Sequence, residues 1–263
     1  METFPQGDII RQELTICDIK NISSDSKLFI FALPSPEHIV GLKPGQHIGI
    51  KALVHNAKYP DGKEVKRKYT PTSKIDARGT FEIPIKIYFP TETFPGGQLT
   101  MHLNTLVAGS KVSILGPIGK FIYEGNGICY FKKQGQTRTF KKFGFIAGGS
   151  GITPCFQYIQ YIIDHNEDIE LSLIYANKSE GDIWLRNQLD EYSSKNKLKL
   201  LYTLNHPPEN WSHGTGNVSQ DMITTVMPSL GDDTCIFFCG PSPMNQMLRQ
   251  LLPSLGYTTY IKF

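Results

Sequence analysis

The stretch FGFIAGGSGITP, Phe143 to Pro154, sets a glycine-rich turn between a short apolar run and a run with helical spacing. Four to eight apolar residues in a row are typical of a buried β-strand, and TPCFQYIQYIIDHN, which overlaps its end, has one apolar face. Glycines let a backbone approach a phosphate closely, and a helix N-terminus offers free N–H groups with a partial positive charge. The candidate phosphate-binding residues of this strand–turn–helix unit are Gly148, Gly149, Ser150, Gly151 and Thr153.

This turn also has a purely structural interpretation, a tight connection that packs a helix onto a sheet. The Gly-x-Gly-x-x-Gly spacing of the usual dinucleotide-binding turn is absent, and no clear acidic residue follows the next predicted strand. Both interpretations stay open from this stretch alone.

Outward from this turn, strands and helices alternate to the C-terminus. The predicted strands are FGFIAGG, LSLIYAN, LKLLYTLN and CIFFCG, and the predicted helices are TPCFQYIQYIIDHN, DIWLRNQLDEYSSK, DMITTVMP and PMNQMLRQLL. Alternation of this kind predicts parallel β-α-β units, and short apolar strands fit a sheet that is covered on both faces. We expect an α/β domain over residues 139–263, a nucleotide-binding architecture.

CGPSPM, Cys239 to Met244, lies between the last of these strands and the last helix. A thiol at the carboxyl end of a parallel strand lies in the crevice where ligands bind in open α/β sheets, and Pro241 stiffens the turn. The alternative is a buried, inert thiol. A nucleophilic cysteine would need a basic partner, and none is evident nearby in the sequence.

The first half of the chain is interrupted by glycine and proline at short intervals. The predicted strands are LTICDIKNIS, KLFIFALP, HIGIKALV, KRKYTPTS, TFEIPIKIYF and KVSILGPIG, with one helix in GGQLTMHLNTL. Short strands separated by turn residues predict an antiparallel β-barrel, which we place over residues 1–138.

RKYTPTS, Arg67 to Ser73, is unusually polar for a barrel strand. Arg67 offers donors for a diphosphate, Tyr69 a ring for stacking and Thr70 a hydroxyl. Strand alternation puts Arg67, Tyr69, Pro71 and Ser73 on one face, and Pro71 predicts an edge or a bulge. The alternative is an ordinary surface strand.

Two further motifs follow in the same half. IKIYF places Lys86 and Tyr88 on one face of a predicted strand. A second glycine turn that opens a helix then contributes Gly96, Gly97, Gln98, Leu99 and Thr100. Two glycine turns, one in each predicted domain, favour two bound nucleotides.

Composition narrows the class of protein. The chain has 263 residues, 40% hydrophobic and 19% charged, which is globular, and a net charge of +3 gives no reason to expect nucleic acid. KEVKRK (63–68) and FKKQGQTRTFKK (131–142) are basic, either as solvated loops or as a docking surface for an acidic partner.

Five cysteines without a C-x-x-C pair predict reduced thiols and no metal site, and the sequence shows no transmembrane run and no signal peptide. His47 in GQHIGI is interpreted as a structural histidine rather than a proton donor.

In combination and in order, RKYTPTS, IKIYF, GGQLTMHL, GPIGKF, AGGSGITP and CGPSPM resemble the ferredoxin reductase-like flavoproteins over nearly the whole chain. The resemblance implies an N-terminal antiparallel FAD-binding barrel and a C-terminal parallel-sheet NAD-binding domain. It also implies hydride transfer from NADH to FAD, and single-electron transfer from FAD to a haem protein, cytochrome b5. The basic residues Lys63, Lys66, Lys68, Lys132 and Lys133 are then candidates for steering that acidic partner.

The same resemblance assigns roles to the motif residues. Arg67 and the Gly96–Thr100 turn would hold the FAD pyrophosphate. Tyr69 and Thr70 would contact the isoalloxazine, with Thr70 near N5, and Lys86 and Tyr88 belong to a second flavin strand. Pro71 and Ser73 complete the first flavin segment, and Thr153 would contact the flavin. Cys239, Gly240, Pro241 and Met244 would lie beside the nicotinamide, with Cys239 packing without covalent involvement.

Three residues depart from the family pattern. Gln98 replaces a lysine in the first glycine turn, and Ser150 replaces a threonine in the second while keeping the hydroxyl. Asn205 stands where relatives often carry an aspartate that repels a 2′-phosphate, so NADH is expected but discrimination against NADPH is open.

Two alternatives remain for the whole protein. One is the flavin module of a nitrate reductase, and the other is a flavin-binding regulatory protein without turnover. The expected protein is monomeric and cytoplasmic, with peripheral attachment to the cytosolic face of a membrane left open.

Overall fold

The computed structural model describes residues 10–56 and 59–263. The chain divides into two compact units, one ending at Lys120 and the other spanning Phe121–Phe263. Residues 121–138 thus group with the C-terminal unit, whereas the sequence placed them in the barrel domain. The functional boundary after residue 138 stays a prediction.

Six antiparallel strands form the N-terminal unit: β1 (Ile10–Ser23), β2 (Ser26–Ala32), β3 (His47–Asn56), β4 (Tyr59–Tyr69), β5 (Thr80–Lys86) and β6 (Lys111–Ile118). Their order in the sheet is β4-β3-β6-β1-β2-β5. The segment after β4 reaches the opposite edge strand β5, because the Thr72 N–H donates to the Glu82 carbonyl at 2.9 Å. The predicted antiparallel barrel is confirmed.

Alternation along the strands fills the core of this unit. In β2, Phe29 and Phe31 are fully buried. The ring of Phe29 stacks on that of Phe31, which in turn stacks on Phe81 of β5. Helix α1 (Gln98–Asn104) adds Leu99 and Leu103, four residues apart and both buried in the same core. The helical spacing in GGQLTMHLNTL therefore marked the face of α1 that covers the barrel core.

Two expectations about strand faces are wrong. β4 ends at Tyr69, so Thr70 to Ser73 do not continue its alternation, and the strand ends two residues before Pro71, which has no N–H to donate. The predicted edge position of this strand is correct. β5 ends at Lys86, so Lys86 and Tyr88 do not share a strand face. The Tyr88 carbonyl instead accepts from the Gly97 N–H, and the Tyr88 N–H donates to Thr100 Oγ1.

The C-terminal unit begins with a small antiparallel sheet that the sequence did not predict: β7 (Phe121–Gly125), β8 (Ile128–Phe131) and β9 (Gln136–Thr139). These strands have only four or five residues, too few for a reliable period. Their apolar side chains, including Tyr123, Cys129 and Phe131, join the core of the parallel domain.

The predicted parallel sheet follows, in the order β13-β12-β11-β10-β14-β15. Its strands are β10 (Lys142–Gly148), β11 (Glu170–Asn177), β12 (Lys199–Leu204), β13 (Gly214–Thr215), β14 (Thr234–Cys239) and β15 (Tyr260–Lys262). The helices are α2 (Ile152–Asp164), α3 (Arg186–Ser194), α4 (Gln220–Val226) and α5 (Ser242–Ser254), with 3-10 turns at Gly149–Gly151 and Glu180–Asp182. The short strands β13 and β15 were not predicted.

Both faces of this sheet are buried, as the apolar strands predicted. Phe143, Phe145 and Ala147 of β10 belong to the core that includes α2 and Leu189 of α3, and Ile146 to the core with α4 and α5. From central β10 the chain adds β11 on one side and β14 on the other. The carboxyl ends of β10 and β14 therefore flank a topological switch point, where open α/β sheets bind ligands.

Candidate functional site

The glycine turn after β10 and the cysteine turn after β14 are in direct contact. A Cβ atom on Gly151 would lie 2.0 Å from the Cys239 carbonyl oxygen and 3.0 Å from the Gly240 nitrogen. One on Gly148 would lie 2.9 Å from Pro241 Cδ and 3.0 Å from Met244 Sδ. The structure thus brings GGSGITP and CGPSPM together, almost ninety residues apart in the chain.

The N-terminus of α2 lies at this crevice and has features that suit the binding of an anion. No described side chain caps the helix, and its first turn, Ile-Thr-Pro-Cys, contains no acidic residue. Thr153 Oγ1 donates to the Ser150 carbonyl at 3.3 Å. Gly149 has φ +52°, and no atom of the described residues lies within 4 Å of the position its Cβ would take. The open glycine and the free helix N–H groups suit a phosphate.

Cys239 is held as a neutral thiol. Burial raises its pKa to about 11, against a smaller opposing effect of Lys262. A thiol that stays protonated at neutral pH is a poor nucleophile, which agrees with a packing role. Asn245, which sequence reasoning missed, fixes the same turn, since its Nδ2 donates to the Gly240 carbonyl at 2.5 Å.

The N-terminal unit holds a second glycine cradle, at α1. Gly96 has φ +86°, and a Cβ on Gly97 would lie 2.3 Å from Thr100 Oγ1 and 3.0 Å from Tyr88 Cβ. The Gly97 N–H donates to the Tyr88 carbonyl at 2.8 Å, and Thr100 Oγ1 donates to the Gly97 carbonyl at 3.2 Å. Tyr88, 46% exposed, lies over a turn that only glycine can form.

Other residues of this turn differ in their surroundings. Leu99 is buried in the barrel core, so its side chain serves packing, and only its backbone remains available to a cofactor. Gln98 is half-buried at the first position of α1. Gln98, which replaces the lysine of the family pattern, therefore lies at the start of α1, and the positive charge of that lysine is missing there.

RKYTPTS forms the end of β4 and the loop beyond it. Tyr69 packs against the barrel core, and burial raises the pKa of its phenol. Thr70 and Pro71 are buried, whereas Arg67 is exposed and donates from Nη1 to the Lys66 carbonyl at 2.8 Å. Ser73 Oγ accepts from the Glu82 N–H at 3.1 Å, so this hydroxyl ties the loop to β5.

Lys86 and His47 have structural surroundings. Lys86 Nζ pairs with Asp25 Oδ2 at 2.7 Å. His47 Nε2 is buried without a hydrogen-bond partner among the described residues. Burial, then Lys68 and Lys66, lower the pKa of His47 to about 4, so the ring is neutral at physiological pH. The cofactor-binding role of Lys86 stays a prediction.

The two units match two known domain families. Residues 13–123 match the oxidoreductase FAD-binding domain, and residues 145–250 match the oxidoreductase NAD-binding domain. The glycine turn at α2 fits such a group, because a side chain at Gly149 would fill open space beside the helix N-terminus. In the turn at α1, a side chain at Gly97 would instead collide with Thr100 and Tyr88. Fold and site together define the class, a two-domain oxidoreductase that uses FAD and NADH.

Individual relatives narrow this class. The chain is 37% identical to NADH-cytochrome b5 reductase 2 of Gallus gallus, covering 90% of this chain and 80% of the relative. It is 40% identical to nitrate reductase [NADH] 1 of Oryza sativa over 87% of this chain, but spans only 25% of that relative. A solved structure, the cytochrome b5 reductase domain of Ulva prolifera nitrate reductase, superposes with a TM-score of 0.89 at 32% identity, covering 97% of both chains. The chain belongs to the cytochrome b5 reductase family of ferredoxin reductase-like flavoproteins.

The expected resemblance, fold and cofactors are thereby confirmed. Within the part of the chain that the structure describes, no helix is long and apolar enough to cross a membrane.

Proposed function

We propose that this chain carries electrons from NADH through FAD to a haem protein of the cytochrome b5 type. The observation that supports this most is the contact between Gly151 and the Cys239–Gly240 turn at the switch point of the parallel sheet. FAD, when bound, supplies the capacity to take a hydride and to give up electrons one at a time.

The barrel residues would bind and orient the flavin. The Gly96–Thr100 turn offers backbone N–H groups to the diphosphate, and Arg67 offers a bidentate cation at the exposed end of β4. Tyr69, neutral and fixed by the core, presents a flat ring, and the buried Thr70 hydroxyl is available to hydrogen-bond the flavin ring. Alignment of the two reacting rings is the main contribution that such residues make to the rate.

In the parallel domain, the start of α2 would hold the NADH diphosphate through Gly149, Ser150 and Gly151. Cys239 would pack beside the nicotinamide as a neutral thiol, and Asn245 would keep the Cys239–Gly240 turn in place. Replacing Cys239 by serine preserves the volume but adds a stronger donor. We expect C239S to slow hydride transfer severalfold while FAD content stays the same.

The experiment that tests the proposal uses the purified, FAD-loaded protein. The yellow protein should bleach anaerobically on addition of NADH, and adding oxidised cytochrome b5 should restore the colour with reduction of the haem. Yellow protein that NADH cannot bleach would favour a flavin-binding regulatory protein instead. Bleaching without electron delivery to cytochrome b5 would leave the hydride step intact and overturn the proposed acceptor.

A second candidate is the flavin module of a nitrate reductase, which the 40% identity to the rice enzyme favours. Such a module would deliver electrons to a haem domain on its own polypeptide. The intact mass of the native protein from its source cells separates the two, since a nitrate reductase would be several times larger than the 29.6 kDa of this chain.

A further inference from the structure

The edge strand β15 brings a lysine close to the cysteine turn. β15 pairs in parallel with β14, and Lys262 lies opposite Phe238, the residue before Cys239. The Phe263 N–H then donates to the Phe238 carbonyl at 3.2 Å. In the register of the two strands, Lys262 therefore lies one residue from Cys239, at the carboxyl edge of the sheet.

The two sequence neighbours of Lys262 hold this strand end in place. Ile261 is buried in the core that includes α2. The Phe263 ring stacks on Phe237 with centroids 5.2 Å apart, and its centroid lies 5.6 Å from that of Tyr158. Lys262 itself is exposed. Packing thus fixes the backbone on both sides of a lysine whose side chain stays at the surface.

The charge of Lys262 acts on the cysteine turn. Burial raises the pKa of Cys239 to about 11, and the positive charge of Lys262 opposes that rise. None of the ion pairs among the described residues includes Lys262. Because no described carboxylate pairs with this ammonium group, its field extends over the surface around Cys239.

Other groups around this turn add partial positive charge and no negative charge. Helices α2 and α5 both begin at this edge of the sheet, and neither has an acidic residue in its first turn. No described side chain caps either helix, so both N-termini present N–H groups with a partial positive charge. The turn Cys-Gly-Pro-Ser carries no charged side chain. A positively charged ring beside Cys239 would therefore be repelled.

The two forms of the nicotinamide cofactor differ in charge at that ring. The nicotinamide of NADH is neutral and that of NAD⁺ is positively charged, whereas the adenosine and the diphosphate are the same in both. A cation near the ring therefore weakens the binding of NAD⁺ relative to that of NADH. Weaker binding of the product favours its release, a step that limits the turnover of many enzymes.

We propose that Lys262 is a specificity-determining residue, which disfavours NAD⁺ relative to NADH through charge repulsion at the nicotinamide. The inference rests on the proposed function, in which the nicotinamide lies beside Cys239. Lys262 acts on the binding of the two nucleotides and takes no part in the transfer of the hydride.

Calorimetry on the oxidised, FAD-loaded protein compares three probes. NAD⁺ has the charged ring, 1,4,5,6-tetrahydro-NAD has a neutral ring that cannot give up a hydride, and ADP-ribose has no ring. We expect Lys262→Gln to tighten NAD⁺ binding roughly three- to tenfold and to change the other two affinities less than about twofold. Lys262→Arg keeps the charge and should give the affinities of the parent protein.

Lys195→Gln is the matched control, because it removes the same charge from an exposed residue at the end of α3. The control should leave the ratio of the NAD⁺ and tetrahydro-NAD affinities unchanged. Product inhibition gives a second measurement, with ferricyanide as the electron acceptor. In Lys262→Gln the inhibition constant of NAD⁺ should fall by the same factor as in calorimetry, while KM for NADH stays within about twofold.

Three results would contradict the inference. Equal changes in the affinities for all three probes would show that Lys262 attracts the diphosphate and does not repel the ring. An unchanged ratio in Lys262→Gln, in a protein that NADH still bleaches, overturns the inference and leaves the proposed function standing. A parent protein that NADH cannot bleach, and that binds neither NAD⁺ nor tetrahydro-NAD, contradicts the proposed function and the inference with it.

Discussion

Gly151 shows how one missing side chain lets two distant motifs meet. A methyl group there would collide with the backbone of Cys239, which cannot move without shifting β14. We expect Gly151→Ala to lower the free energy of unfolding by about 1–3 kcal/mol and to weaken NAD⁺ binding at least tenfold. Urea unfolding and calorimetry with NAD⁺ measure the two effects.

Gly181→Ala is the matched control for this change. Gly181 also lies in a 3-10 turn of the same unit, and no described atom lies within 4 Å of its hypothetical Cβ. The substitution should change neither measurement appreciably. Similar losses in both variants would show that the contact with Cys239 is not the cause.

His47 should make the barrel unit sensitive to acid. Its pKa is about 4 in the folded protein against an ordinary value of 6.5, mainly because the ring is buried. Between those values the unfolded chain binds the proton and the folded chain does not, so this contribution to stability is complete above pH 6.5 and is lost as the pH falls. At pH 5 the loss is about 2 kcal/mol.

His47→Gln should remove that part of the pH dependence. Urea unfolding at pH 7.5 and pH 5, followed by flavin fluorescence, should show a smaller difference in the variant than in the parent protein. His165→Gln, at an exposed histidine of the other unit, should keep the parent's difference. An unchanged difference in His47→Gln would mean that other groups carry the acid sensitivity.

At the scale of elements, Lys86 joins the end of β5 to the turn between β1 and β2. Asp25 in that turn accepts from the Ser26 hydroxyl at 2.9 Å and from the Ser23 hydroxyl at 3.2 Å, besides its pair with Lys86. Burial alone would raise the pKa of Asp25, but the hydrogen bonds from Lys86 and Ser26 outweigh it and lower that pKa. The carboxylate is therefore charged in the folded protein and depends on its partners.

Lys86→Met tests this structural role against the cofactor-binding role predicted from the sequence. Loss of the pair should cost on the order of 1 kcal/mol at neutral pH, and less in acid, where Asp25 is protonated. FAD affinity, measured by fluorescence titration of the apoprotein, should change less than twofold. A tenfold loss of FAD affinity would instead support direct contact between Lys86 and the cofactor.

Helices and strands with a long run of apolar residues were predictable from the sequence, whereas the short strands were not. α2 and β10 each bury almost every residue, so composition marks them. β7, β8 and β9 have only four or five residues each, and β9 lies at the domain boundary that the sequence suggested after residue 138. Part of the basic run there is structural, since Arg138 donates to Thr259 Oγ1 at 2.8 Å and Lys142 pairs with Asp233 at 3.4 Å. Lys132 and Lys133 are exposed.

At the scale of the whole molecule, the β7–β9 sheet determines which C-terminal fragment can fold on its own. Tyr123 packs against Phe143 and Tyr158 with ring centroids 5.6 Å apart in both pairs. A fragment of residues 121–263 should therefore unfold cooperatively, whereas 139–263 should lose fixed aromatic packing and its near-UV circular dichroism. Equal cooperativity in the two fragments would favour the boundary predicted after residue 138.

Charge should govern the encounter with an acidic haem protein. Lys63, Lys66 and Lys68 lie exposed along the edge strand β4. If this strand steers cytochrome b5, kcat/KM for its reduction should fall roughly tenfold between low and high salt. The triple variant K63Q/K66Q/K68Q should reduce both the rate and its salt dependence.

Two comparisons isolate this steering. Ferricyanide reduction by the triple variant should stay near the parent's rate, because the flavin chemistry is untouched. Replacing Lys195 and Lys197, exposed on the C-terminal unit, should leave cytochrome b5 reduction unchanged. A rate that is independent of salt in the parent protein would rule out electrostatic docking.

The sequence alone determined the two-domain order, the barrel, the parallel sheet and the two glycine turns, because apolar period and glycine placement are local properties of the chain. Only the tertiary structure decided which residues meet. It places Gly151 in contact with Cys239, buries Leu99 in the barrel core and pairs Lys86 with Asp25. Such contacts join residues far apart in the chain, and their distances follow from sheet order and packing, which no local pattern encodes.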